Sequence, residues 1–120
     1  MRVLARNHTR NTVLGSVVEV ADTSARRRIG LLRHTRLERG EGLWITPCES
    51  VHTFCMKFPI DLVYLDKYRK VRKVRNAVPA WRVSACLTAR SVLELPPGTA
   101  KETDTQVGDE VVIEKVAEQG

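Results

Sequence analysis

Runs of β-branched and aliphatic residues recur along this chain at short intervals, each closed by Gly, Pro or Asp. That rhythm constrains the fold more than any other feature. Residues 12–21, 43–45, 60–65, 71–78, 91–95 and 110–116 read as strands. Pro47, Pro59, Pro96-Pro97-Gly98 and Val107-Gly108-Asp109 supply the stops. Asp66 to Arg69 reads as a hairpin turn, although it lacks the usual glycine. Residues 50–57 alternate, so they read as a strand with His52, Phe54 and Met56 on one side and Thr53, Cys55 and Lys57 on the other. One helix is expected near residues 24–33, where Asp22-Thr23-Ser24 supplies capping side chains. The expectation is an all-β domain spanning 1–120, a small barrel or sandwich of about seven to eight strands with that one short α-helix.

Charge is unevenly spread behind a formal net charge of +6. Residues 1–40 carry nine Arg against three acids, whereas residues 81–120 carry four bases against seven acids. The two ends can neutralise each other in the fold, or leave a basic face for an anionic partner. No apolar run approaches the roughly 18 residues a membrane helix needs. The N-terminal Met1-Arg2-Val3-Leu4-Ala5-Arg6 lacks the apolar segment of a secretion signal. A cytoplasmic protein without membrane contact is expected, with its three Cys as reduced thiols.

An ordered set of motifs runs through the chain. Arg27-x-x-Gly30-Leu31-Leu32 comes first, then Gly42-Leu43-Trp44, Phe54-Cys55-Met56-Lys57, Pro59-Ile60-Asp61 and Asp66. Val92-Leu93-Glu94-Leu95-Pro96-x-Gly98 and Val107-Gly108-Asp109-x-Val111 follow. In this order and spacing, over about residues 13–113, the chain resembles the uncharacterised prokaryotic family catalogued as domain of unknown function 192. The resemblance implies a compact β-rich fold and no assigned reaction. Relative to the family pattern, Cys55 stands in the place of a Trp and His34 in the place of an Arg.

Charged residues within apolar strands are costly to bury unless they are paired or bound to something. Arg27, His52, Lys57, Asp61 and Glu94 are therefore the candidate ligand-binding set. Arg27 and Lys57 would hold an anion, while Asp61 or Glu94 would accept from ligand hydroxyls. The opposing reading is a salt-bridge network. Cys48, His52, Cys55 and Cys86 form a weaker alternative as zinc ligands, but the Cys48-x₃-His52-x₂-Cys55 spacing is not a usual one. No cofactor is expected. Asp22-Thr23-Ser24-Ala25 faintly resembles an aspartic-protease turn, but the three Arg that follow fit a capped helix. Trp81, in a loop, is expected to cap the core rather than line a pocket.

Three function classes follow. The lead is a non-catalytic binding module for a small polar or anionic ligand, or for part of a partner protein. The second is a small hydrolase-type enzyme, with Asp61 or Glu94 as general acid or base and Arg27 and Lys57 steadying negative charge. The third is a nucleic-acid-binding domain acting through the basic stretches Arg26–Arg28 and Lys67–Arg75. The six aromatics of the chain give it few stacking platforms, so nucleic acid is the least expected partner.

Overall fold

A computed structural model of the chain describes residues 1–31 and 34–116. Among these, nine strands and two short helices follow one another. They are β1 (Arg2–Asn7), β2 (Thr12–Ala21), α1 (Ser24–Ile29), β3 (Glu41–Ile45), β4 (Ser50–His52) and β5 (Ile60–Leu65). Then come β6 (Val71–Val78), β7 (Val83–Ala85), β8 (Ser91–Leu95), α2 (Thr99–Glu102) and β9 (Val111–Lys115). Seven strands make one sheet in the order β6-β5-β8-β3-β2-β1-β9, while β4 pairs with β7 separately. Only β2 and β3 run parallel, and the crossover between them contains α1. The sheet curls into a half-barrel. At one end its two edges meet: Lys70 bridges Glu110, and Val71 N–H donates to Asp109 O at 2.8 Å.

The central strands explain why β5 and β8 read as nearly unbroken apolar runs. Both faces of each are covered, so alternation with solvent is lost. Val63, Leu65, Leu93 and Leu95 point into the curl, against Val3, Val18 and Val111. Their neighbours Ile60, Leu62, Tyr64 and Val92 point to the opposite face, against Leu31, Val51 and Met56. Each fully buried side chain of this size contributes about 1.5–3 kcal/mol of transfer free energy. The small β4–β7 sheet is thus a flap on the outer face. It is tied down where the Tyr64 hydroxyl meets Ser84 Oγ at 2.8 Å.

The all-β expectation holds, with three corrections. First, α1 ends at Ile29, because Gly30 takes φ 52 and ψ −127, a conformation a side chain resists; Leu32 and Arg33, the end of the expected helix, lie outside the described residues. A second helix, α2, is present as well, too short at four residues to leave a periodic signal. Second, β1 and β7 were not anticipated. Third, the expected strand over 50–57 stops at His52. Cys55 turns the chain at φ 64, so Met56 enters the core while His52 and Phe54 remain exposed. The Asp66–Arg69 turn does form. Arg69 adopts the left-handed conformation at φ 64, and Asp66 Oδ1 accepts from the N–H groups of Tyr68 and Lys70.

Candidate functional site

Strand register decides where the two buried acids of the central strands go. Asp61 lies between Ile60 and Leu62, and Glu94 between Leu93 and Leu95, so alternation sends them to opposite faces of the sheet. Asp61 is fully buried and bound by the protein itself. Its Oδ1 accepts from Ala77 N–H at 2.8 Å, at a point where β6 bulges out of register with β5. Its Oδ2 accepts from Ala100 N–H at 2.9 Å, at the start of α2. Asp61 is a bracket for a bulge and a helix end, not part of an opening.

Glu94 has a different environment. It is only 4% exposed, and no hydrogen bond or ion pair reaches its carboxyl among the described residues. Burial alone pushes its pKa from 4.5 to about 7. The side chain stands on the outer face, in register with Leu43 of β3 and Leu62 of β5. There the flap and α1 leave a cleft of about 520 Å³ open above it. Gly30 passes beside the carboxyl: a Cβ on that glycine would lie 3.8 Å from Oε1.

Of the five expected site residues, the cleft collects Arg27, His52 and Glu94. Lys57 is exposed and lies outside this lining, and Asp61 is on the other side of the sheet. Arg27 reaches the cleft from α1, steadied by a 2.9 Å bond to Asp22 O and a 3.4 Å bond to Ser24 Oγ, which use two of its five guanidinium N–H groups. Arg28 and Cys48 also line it. Burial raises the Cys48 thiol above its usual range, against a 3.1 Å contact with Ser50 O and alongside the Glu94 and Arg27 charges. The four alternative metal ligands do not converge. Cys48 and His52 line the cleft whereas Cys55 and Cys86 do not, and no three His, Cys, Asp or Glu side chains among the described residues group to hold an ion.

Next to His52 lies a feature that the local sequence does not announce. Trp81 does not cap the core: it is 63% exposed and sits at φ 65. For a bulky residue that backbone costs on the order of 1–3 kcal/mol, a strain that persists only where surrounding structure imposes it. Thr53 imposes it. Its hydroxyl donates to Pro79 O at 2.6 Å and accepts from Arg82 N–H at 2.9 Å, while its carbonyl takes the Trp81 N–H. The result is a row of rings. His52 lies 5.0 Å from Phe54, and Phe54 lies 5.6 Å from Trp81, with interplanar angles of 30° and 27°. The only sequence signal was the loop Trp itself; the pairing of residues 53 and 54 with 79–82 is long-range.

The basic run after β5 is largely occupied elsewhere. Arg69 lies over the Trp44 ring at 4.8 Å, Lys73 donates to Ala85 O at 2.7 Å, and Arg72 faces Asp66 at 3.8 Å.

A family model described as "Uncharacterized ACR", domain of unknown function 192, matches residues 5–113. A UPF0127 protein of Thermococcus gammatolerans is 32% identical over 109 residues, covering 86% of this chain and 70% of its own. A UPF0127 protein of Thermococcus sibiricus is 31% identical over 111 residues, with coverages of 88% and 71%. Among solved structures, a protein of unknown function from Novosphingobium aromaticivorans superposes with a TM-score of 0.75 at 22% identity, covering 93% of this chain and 84% of that one. One from Sinorhizobium meliloti, named as a candidate transcription regulator, gives 0.81 at 18% identity, covering 93% and 92%. At these identities the two structures share the fold.

Proposed function

We infer that this chain, which belongs to the uncharacterised family of domain of unknown function 192 and its UPF0127 proteins, is a non-catalytic binding module. Its ligand is a small polar molecule that donates N–H or O–H groups to Glu94 and presents an acceptor or negative group to Arg27. One observation carries this reading: a buried carboxyl on the floor of an open cleft, without a hydrogen-bond or ion-pair partner among the described residues. Such a group is costly to keep unless something completes it. A cytoplasmic location belongs to the same reading, supported by three free thiols. No helix among the described residues is long and apolar enough to cross a membrane.

A second reading shares the site. A carboxyl whose pKa lies at about 7 is suited to general acid–base chemistry near neutrality, as a small hydrolase-type enzyme requires. The binding reading ranks first because Asp61 is committed to backbone amides, and among the described residues no hydrogen bond links Glu94 to Glu49 or His52, the other acid and the imidazole of the cleft.

Thermal shift of the full chain against a library of small acids, sugars, amines and nucleotides tests the proposal, since a ligand of the folded form raises its stability. At least one compound is expected to raise the melting temperature. Its affinity should increase up to about tenfold from pH 6 to pH 8 as Glu94 ionises in its setting of Arg27, Arg28, Cys48, Glu49 and His52. Glu94→Gln should weaken it at least tenfold and abolish the pH dependence. A library without hits, or hits indifferent to Glu94→Gln, removes the binding reading. Turnover of a hit, lost in Glu94→Gln, moves the assignment to the enzyme.

A further inference from the structure

The cleft and the row of rings meet at His52, which lines the first and begins the second. Exposed aromatic rings stacked on one another, their planes 27° to 30° apart, leave the outer face at an end of the stack for a further flat ring. Phe54 is 40% exposed and Trp81 63%, so neither is there to fill the core. Two of the chain's left-handed non-glycine residues, Cys55 and Trp81, fall within this row or next to it. The cleft is also lined by Arg27 and Arg28, whose planar guanidinium forks suit phosphate oxygens, and by Glu94, which has no partner among the described residues. A purely apolar protein partner on the rings would leave that carboxyl uncompensated, and a plain sugar would leave the arginines unused.

We propose that rings and cleft are one site, and that its ligand is a nucleoside monophosphate. The base extends the stack formed by His52, Phe54 and Trp81, a base N–H or ribose hydroxyl donates to Glu94, and the phosphate meets Arg27 and Arg28. This rests on the binding reading above and narrows it to one ligand class.

The test is calorimetric titration of the full chain with AMP, GMP, CMP and UMP, set against ribose 5-phosphate, inorganic phosphate and a short oligo-dT, with tryptophan fluorescence followed in parallel. At least one mononucleotide should bind saturably and quench fluorescence, and the quench should be absent in Trp81→Leu. Ribose 5-phosphate should bind at least about tenfold more weakly, the scale of one lost base stack. Phe54→Ala and Trp81→Leu should each weaken the mononucleotide about tenfold while leaving ribose 5-phosphate unchanged, a split that general loss of folding would not produce. Glu94→Gln should weaken it too.

Equal affinity for ribose 5-phosphate, dependent on Glu94, overturns the ring assignment and leaves the cleft reading standing. The same holds if mononucleotides fail while another small molecule binds through Glu94. If oligo-dT binds tighter than any mononucleotide, with steep salt dependence and no response to Glu94→Gln, the rings serve a strand and the proposal is wrong. If nothing binds, both readings fall together.

Discussion

Asp61 and Glu94 show how much one position of register means to a side chain. Each is an acid embedded in an apolar run, each is buried, and their strands are hydrogen-bonded neighbours. In the sequence they look alike. Asp61 accepts from two backbone N–H groups; Glu94 meets none among the described residues and faces a hollow. Their substitutions should therefore part company. Asp61→Ala strands two amides once held by a carboxylate and is expected to lower unfolding free energy by roughly 3 kcal/mol. Urea denaturation measures this as a lower midpoint at unchanged slope. Ligand affinity at the cleft, extrapolated to the fully folded fraction, should stay as it was. A stability change of only a few tenths of a kcal/mol would mean that water replaces those bonds easily, and that Asp61 is not the bracket described above.

At the scale of elements, the strands rich in apolar or β-branched residues were legible, whereas β1, as long as β5 but carrying Arg2, Arg6 and Asn7, and the three-residue pairing of β4 with β7 were not. Strands β2, β5, β6, β8 and β9 carry enough apolar or β-branched residues to reveal themselves. The three-residue strands β4 and β7 exist because distant segments hold them: Thr53 gathers residues 79–82, and Tyr64 pins Ser84. No local propensity encodes that. One element-level requirement did leave a mark in sequence, the glycine of Gly42-Leu43-Trp44. A Cβ on Gly42 would stand 2.8 Å from Leu95 Cδ2 and 2.9 Å from the carbonyl oxygen of Glu94. The glycine thus lets β3 and β8 pack closely where Glu94 is carried. Gly42→Ala is expected to cost about 1–3 kcal/mol through overpacking and backbone displacement. It should also disturb the cleft, so a loss of ligand affinity beyond the unfolded fraction should accompany the lower melting temperature. An unchanged protein would show that the two strands separate freely at that point.

For the molecule as a whole, two carboxyls bend the stability curve in opposite directions. Burial pushes Asp109 up, but hydrogen bonds from Asn7, Arg10 and Gln106 N–H outweigh it and hold the carboxyl below its ordinary 3.8. Its contribution is complete above that value and is lost as pH falls through the folded pKa. Glu94 has the opposite sign. Its folded pKa of about 7 exceeds the ordinary 4.5, so stability is complete below 4.5 and falls as pH rises to about 7, by about 3 kcal/mol. Maximum stability is expected between about pH 4 and 5, and chemical denaturation across pH 3 to 8 would trace it. Glu94→Gln should flatten the upper limb only; an upper limb that persists in that variant would assign it to some other group. From sequence alone come the β-rich class, the strands rich in apolar residues, the family and the short list containing Arg27, His52 and Glu94, because apolar runs and turn residues are local signals. Tertiary structure decided which acid is bracket and which is floor, and set Trp81 beside Phe54. Those outcomes depend on strand register and on hydrogen bonds between segments far apart in the chain, which no local pattern records.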